Sequence, residues 1–158
     1  MKLSTRSTYG MRALVELALA GGHGPLSASL IASRQNLSVA YLEQLLHRLK
    51  KRGLIRSVRG PKGGYVLAKD PNEVTAADVV RILDGGNGVA NGKHPIVRGS
   101  AQRATTQTRQ AERIANAVWR CVHERLTQSL DAVTLHDLCE EVRSQNGDPL
   151  EHRYVFHI

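Results

Sequence analysis

One stretch, RSVRGPKGGYVL from Arg56 to Leu67, constrains the fold of this chain more than any other. Two short apolar segments, residues 54–58 and 65–67, flank a loop that contains two cations, three glycines and one proline. Glycine and proline are typical of turns, so the stretch predicts a β-hairpin. A plain turn needs no cations. Arg59 and Lys62 therefore make the hairpin tip a candidate contact for an anionic partner.

Three helices are predicted before the hairpin, at residues 5–20, 27–34 and 38–52. Ser4 and Ser38 stand where helix N-caps are expected, and Gly53 follows the third helix as a stop signal. Apolar residues recur at helical spacing in each segment and predict its buried side. These residues are Met11, Leu14, Val15 and Ala18 in the first helix, Leu30 and Ile31 in the second, and Leu42, Leu45, Leu46 and Leu49 in the third.

The remainder of the chain predicts two further helical regions separated by a long loop. A capping-box pattern from Thr75 to Asp78 begins a fourth helix, and a similar pattern from Thr134 to Asp137 begins the last one. We expect a winged helix-turn-helix domain at residues 1–84, a flexible loop at 85–106, a dimerisation helix and a terminal helix at 107–146, and a tail at 147–158 with one short strand at 154–158. The fold class is mainly α with a small β-hairpin wing.

The charge of the chain indicates the class of partner. Its 158 residues carry a net charge of +8, which favours a polyanion such as nucleic acid or an acidic membrane face. No stretch approaches the roughly 20 apolar residues that cross a bilayer, and the first ten residues lack the apolar core of a signal peptide. We therefore expect a cytoplasmic protein with a polyanionic partner and no membrane association.

Three helices followed by a hairpin with a cationic tip is the order of a winged helix-turn-helix, in which the third helix enters the major groove. The first turns of that helix present side chains that can address base edges, while its end and the hairpin present cations suited to phosphates. Arg59 is suited to a narrow minor groove. The predicted DNA-binding residues are Ser38, Tyr41, Glu43, Gln44, Arg48, Lys51, Arg59, Gly60, Pro61 and Lys62.

Other interpretations of the same residues remain open at this point. The third helix taken alone fits an ordinary amphipathic helix with a solvated face, and the hairpin tip fits a structural turn with incidental charge. A phosphate-binding loop of a nucleotide enzyme does not fit, because the Gly-Lys-Ser/Thr pattern is missing and a strand follows where a helix should begin. No catalytic constellation is evident, so we do not expect an enzyme. A winged helix that binds protein is the remaining rival.

The longest helical pattern, residues 107–130, predicts an intermolecular seam. Its small and apolar residues are spaced by threes and fours, as in helices that pack along one another. They are Ala111, Ala115, Val118, Val122, Leu126 and Ser129. We expect this face to mediate homodimerisation.

The chain resembles the Rrf2 family, bacterial winged-helix transcription regulators of the IscR, NsrR and CymR type. The resemblance rests on MKLSTRSTYGMRAL, on SVAYLEQLLHRLKKRGLIRSVRGPKGGYVLAKDP, on VTAADVVRILDG and on AVWRCVHERLTQSLDAVTLHDL, which together cover most of residues 1–142. It implies a homodimer that binds a palindromic operator and usually represses transcription. It also implies DNA contacts at the first turns of the third helix and at the wing, and a dimerisation helix around Trp119.

The sensory half departs from the best-known members, many of which hold an iron–sulfur cluster through three cysteines in the loop before the dimer helix. Residues 85–113 contain no cysteine, and Arg113 occupies the position of the last ligand, six residues before Trp119. We therefore expect no such cluster and no other cofactor. The signal is expected to be a small effector, a partner protein or thiol oxidation.

The only cysteines, Cys121 and Cys139, lie beyond that loop. With His123 and His136 nearby they leave a redox or metal sensor as an alternative, although zinc needs about four ligands. A core cysteine and a surface histidine are the simpler interpretation.

Overall fold

The computed structural model describes residues 3–85 and 106–146. Within these ranges the helices are α1 (Thr5–Leu19), α2 (Ala28–Gln35), α3 (Val39–Lys51), α4 (Ala76–Asp84), α5 (Thr106–Asp131) and α6 (Leu135–Asn146). Strands β1 (Ile55–Val58) and β2 (Gly64–Leu67) form an antiparallel hairpin between α3 and α4, followed by a short 3-10 turn at Pro71–Glu73. The mainly helical fold with one two-stranded hairpin confirms the predicted fold class.

Serine and threonine side chains determine where the helices begin. Ser4, Ser27 and Ser38 cap α1, α2 and α3, each by accepting a hydrogen bond from a backbone N–H three residues later. Thr75 and Asp78 form the predicted reciprocal capping box at α4. Such caps satisfy N–H groups that lack a partner inside the helix, so the predicted starts are confirmed.

The core lies where α1, α2 and α3 converge over the hairpin. The predicted buried stripe of α3 is confirmed, because Leu42, Leu45, Leu46 and Leu49 are all essentially inaccessible to solvent. Strands β1 and β2 pair Ile55 with Leu67 and Ser57 with Tyr65. A reciprocal pair of backbone hydrogen bonds between Leu26 and Tyr65 joins the segment before α2 to the hairpin.

The buried faces of α1 and α2 agree only in part with the predicted ones. In α1 Leu14 is buried, and the other predicted residues, Met11, Val15 and Ala18, are half-buried and pack against the core. The buried side also contains Gly10, Ala13 and Leu17, because α1 packs against both α4 and α6 and Gly10 lies under Leu83. In α2, Ile31 is buried as predicted, but Leu30 is 40% exposed. Small residues, Ala28 and Ala32, complete the buried side of that short helix.

The winged-helix part and the C-terminal helices are joined by backbone hydrogen bonds. Ala76 N–H donates to the Val133 carbonyl (2.9 Å), and Leu135 N–H donates to the Val74 carbonyl (2.8 Å). Leu135 and Cys139 of α6 are buried in the same core as α1. The C-terminal end of α5 is thereby anchored beside the start of α4.

The expected flexible loop and the expected tail strand at 154–158 lie outside the described residues, apart from the residues at the loop's two ends. No helix in the described ranges is both long enough and apolar enough to cross a membrane.

Candidate nucleic-acid interface

The exposed side of α3 presents the polar residues that the sequence predicted as base contacts. Glu43, Gln44, His47 and Lys51 are exposed on the side of the helix that faces away from its buried leucines. Ser38 is also exposed, and its Oγ accepts the Tyr41 N–H at 3.2 Å. Because a hydroxyl both donates and accepts, Ser38 keeps its O–H for another partner. This end of α3 can therefore offer donors and acceptors to base edges.

Tyr41 is positioned by residues of α1 that sequence reasoning missed. The rings of Tyr9 and Tyr41 meet edge to face, with centroids 6.3 Å apart. The Arg12 guanidinium lies over the Tyr9 ring, 5.4 Å from its centroid, in a cation–π arrangement. The spacing of Tyr9 and Arg12 at i, i+3 in α1 was the available signal, but their contact with α3 is tertiary. The contact with Tyr9 holds the half-buried Tyr41, near the start of α3, against α1.

The cations at the end of α3 have different local roles. Arg48 donates from Nη1 to the Leu83 carbonyl at 3.0 Å, near the C-terminal end of α4, where carbonyls lack helix partners. Lys50 donates from Nζ to Ser57 Oγ at 2.8 Å and so ties α3 to β1. Lys51 makes no ion pair or side-chain hydrogen bond with another described residue. Lys51 is thus the freest of these cations to meet a phosphate, while Arg48 also supports the packing of α4.

The hairpin tip requires glycine at three positions, for different structural reasons. Gly60 has a φ of +122°, a conformation that side-chain-bearing residues rarely adopt. A Cβ on Gly63 would lie 2.4 Å from the Val58 carbonyl oxygen, and one on Gly64 would lie 2.3 Å from the Leu26 carbonyl oxygen. The turn is closed by a Gly63 N–H to Gly60 carbonyl hydrogen bond of 2.9 Å. Two of the three glycines are therefore explained by the packing of the hairpin itself.

The side chains that the tip presents are those predicted to contact DNA. Arg59, Pro61 and Lys62 are exposed, as is Gly60, beside which a Cβ would meet nothing within 4 Å. No described residue pairs with either cation. The tip therefore offers two unpaired charges on a stiff, side-chain-poor backbone that can approach another molecule closely.

Helix α5 carries an exposed apolar stripe, defined here as Ile114, Val118 and Val122. Their exposed fractions are 59%, 55% and 41%, and their i, i+4, i+8 spacing places them on one side of the helix. Ile114 was not among the predicted dimerisation residues. Leu126, one turn further, is half-buried, and the side chains of Ala111 and Ala115 lie outside the described residues. A stripe of this kind is typical of a surface that another molecule covers.

The two cysteines are in different environments. Cys121 is exposed on α5, whereas Cys139 is buried in the core. Burial raises the pKa of the Cys139 thiol, and the nearby Arg143 offsets this only in part. Cys139 therefore stays protonated and unreactive near neutral pH.

Comparisons with known proteins bear on the whole chain. The model of the Rrf2 family, described as an iron-dependent transcriptional regulator, matches residues 3–141. The HTH-type transcriptional regulator CymR of Bacillus subtilis is 36% identical over 158 residues, which is 100% of both chains. The HTH-type transcriptional regulator IscR of Photorhabdus laumondii is 34% identical over 87% of this chain and 79% of its own length. The solved structure of T. potens IscR is 34% identical with a TM-score of 0.70, covering 92% of this chain and 91% of that one.

Proposed function

Because the chain belongs to the Rrf2 family of DNA-binding transcription regulators, which are not enzymes, we propose that it acts as a homodimeric repressor at a palindromic operator. The proposal rests on the different chemical character of two surfaces of the molecule. The recognition helix α3 and the wing tip present polar and cationic groups, while α5 presents an apolar stripe that no described residue covers. A regulator of transcription acts where the chromosome is, so we place the protein in the cytoplasm.

The exposed side of α3 supports a division of roles along the helix. Ser38, Tyr41, Glu43 and Gln44 belong to its first turns, where a recognition helix meets base edges. Glutamine can bond adenine through two hydrogen bonds, and glutamate can accept from the cytosine amino group. Glu43 makes no ion pair with His47 or any other described residue. We therefore assign Glu43 to sequence selection, because an unpaired carboxylate near phosphates otherwise only reduces affinity.

The cations are assigned to the DNA backbone and the minor groove. Lys51 and Arg48, at the far end of α3, are placed against phosphates, and so is Lys62 of the wing. Arg59 is placed in a minor groove, where the negative potential is strongest when the groove is narrow. Gly60 and Pro61 keep the wing backbone thin and stiff enough for that approach.

The exposed stripe of α5 supports homodimerisation. Covering three large apolar side chains with their copies on a second chain removes apolar surface from water, and this is the main driving force for association. A two-fold dimer uses the same patch twice, so Val118 and Val122 each face equivalent residues of the partner chain. Two recognition helices then address half-sites about 34–36 Å apart, or a multiple of that distance.

The residues present do not fit the iron–sulfur cluster that many family members hold. Cluster irons are bound mainly by cysteine thiolates, and residues 85–113 contain none. Cys139 is buried, and the described residues contain no group of three or more His, Cys, Asp or Glu side chains placed to hold a metal. We therefore propose that the signal reaches this regulator without such a cluster.

Selection of bound sequences from fragmented genomic DNA, followed by footprinting, tests the proposed function. An inverted repeat protected by two protein chains is expected, with affinity that falls steeply as salt rises because phosphate contacts release counterions. A single protected half-site occupied by one chain would contradict the dimeric part. Expression of a reporter behind the recovered site separates repression from activation.

A further inference from the structure

A groove of about 300 Å³ lies behind the wing, on a part of the surface with no role in the DNA interface described above. It runs between the C-terminal end of α1, the turn that follows it, and the hairpin. Its apolar wall includes Leu17, Ala18, Val66, Leu67 and Pro71. Two cationic residues, Arg56 and Lys69, also line the groove, and residues of the turn after α1 form the rest of its lining.

The turn after α1 leaves the groove open because it has almost no side chains. Gly22 and Gly24 have φ values of +91° and +97°, which favour glycine. A Cβ at either position would meet nothing within 4 Å, so backbone conformation and not crowding favours glycine at both. The Gly-Gly-His-Gly sequence therefore shapes the wall of the groove as well as ending α1.

Arg56 and Lys69 have no assigned task elsewhere in the fold. Both are exposed, and neither makes an ion pair or side-chain hydrogen bond with another residue in 3–85 or 106–146. An arginine guanidinium offers a planar fork of donors that matches a carboxylate, and a lysine beside it adds a second charge. The matching ligand has one carboxylate and an apolar body that lies on Val66, the residue that pairs with Arg56 across the hairpin.

We propose that this groove binds a small organic carboxylate and that its occupancy changes the affinity of the protein for DNA. The groove is close to the wing tip in the structure. Arg56, Val66 and Leu67 belong to the two strands that carry the wing tip. Leu26, which follows the turn, shares two backbone hydrogen bonds with Tyr65, of 3.1 and 2.8 Å. A ligand between turn and hairpin therefore acts directly on the orientation of Arg59 and Lys62.

The binding part of the proposal is tested with straight-chain carboxylates from acetate to octanoate, followed by amide NMR shifts of the full-length protein. We expect shifts centred on Leu17, Val66 and Leu67, with affinity rising about two- to fourfold per added methylene until the groove is full. The corresponding alcohols, which lack the charge, should bind at least about tenfold more weakly. No shift at these residues with any carboxylate, or equal binding of alcohols, would overturn the proposal.

Two groove variants and one control variant on α5 locate the site. The double variant Arg56→Gln/Lys69→Gln should weaken the longest bound carboxylate by about tenfold or more, whereas Arg113→Gln/Arg120→Gln, with the same change in net charge on α5, should not. Ala18→Leu should block the groove with its added side chain while suiting the helix that contains it. Unchanged carboxylate binding in both groove variants would contradict the assignment.

The coupling rests on the proposed function, and its test is separate. Saturating carboxylate should change operator affinity by about fivefold or more, as is typical of linked sites. Ala18→Leu should abolish that response. If the carboxylate binds but operator affinity stays constant, the regulatory part is wrong. If no operator is found at all, the proposed function fails while the NMR test of the groove still stands.

Discussion

The winged-helix part and helix α5 differ in whether their large apolar residues are buried or exposed. In α3, which packs against α1, α2, α4 and β1, every leucine is buried, and only polar or small groups and Val39 remain exposed. In α5, Ile114, Val118 and Val122 are exposed, and no other described residue covers them. The winged-helix part therefore buries its apolar residues within one chain, whereas α5 leaves an apolar stripe for the second chain that we propose.

The largest expected effect is on the free energy of unfolding, when a buried leucine of α3 is replaced. Leu46→Ala should lower the free energy of unfolding by about 2–5 kcal/mol, because it removes buried methyl groups and leaves a cavity in the core. Urea denaturation at fixed protein concentration measures the change. Val118→Ala, at an exposed apolar position, is the control and should cost much less at concentrations where the protein is monomeric. Equal costs for the two variants would contradict the division into a complete and an incomplete part.

The next largest effect is expected on dimerisation, when a residue of the exposed stripe of α5 is replaced. Val118→Glu should weaken dimerisation by about a hundredfold or more, because a symmetric interface would bury two carboxylates without partners. Sedimentation equilibrium measures the dissociation constant, and circular dichroism checks that the winged-helix part stays folded. Arg120→Glu adds negative charge on the opposite side of α5 and should have little effect. A dimer of unchanged strength in Val118→Glu would remove the stripe from the interface.

Part of this fold could be predicted from local sequence patterns, and part could not. The leucine spacing of α3, the serine caps and the hairpin were all predictable, because each depends on residues close together in the chain. The sequence pattern found only part of the buried side of α1, because Gly10 is buried by Leu83, which lies over seventy residues away in the chain. It also placed Leu30 inward, since a two-residue apolar pattern cannot show that Ala28 and Ala32 already fill the available space.

The sequence predicted which residues of the candidate site are exposed, but it did not predict the tertiary contacts that position them. Glu43, Gln44 and Lys51 lie on the polar side of α3, so helical periodicity predicts their exposure, and Arg59 is exposed because it lies at the hairpin tip. The bond from Arg48 to the Leu83 carbonyl joins residues that the local pattern does not relate. The edge-to-face contact of Tyr9 with Tyr41 is tertiary in the same way.

Two exposed residues of α3 should contribute to DNA binding in different ways, one to sequence preference and one to overall affinity. Gln44→Ala should cost about 1–3 kcal/mol at one base pair of each half-site and relax the preference there, because it removes base-edge hydrogen bonds. Lys51→Ala should weaken all sequences about equally and reduce the salt slope by about one. Fluorescence anisotropy with single-base operator variants, at several salt concentrations, separates the two patterns. If both variants weaken every sequence in parallel, the assignment of roles along α3 is wrong.

The smallest expected effect concerns the link between the two parts. Arg81 of α4 donates to both carboxylate oxygens of Asp131, at 2.9 and 3.0 Å, but both side chains are more than two-fifths exposed. Asp131→Asn should therefore lower the free energy of unfolding by only about 0.2–1 kcal/mol, and less at high salt. A double-mutant cycle with Arg81→Gln measures the interaction. A loss of several kcal/mol would mean that this pair, and not the buried core shared by α1 and α6, holds the parts together.

The most direct test of the account compares binding to an intact operator with binding to a half-site, using the wild type and Val118→Glu. We expect two wild-type chains to bind the intact inverted repeat tightly and the half-site at least about tenfold more weakly, because only the intact site engages both recognition helices of one dimer. Val118→Glu should bind both DNAs with the same weak, half-site affinity. If Val118→Glu binds the intact operator as tightly as the wild type does, two chains joined through α5 are not what reads the DNA.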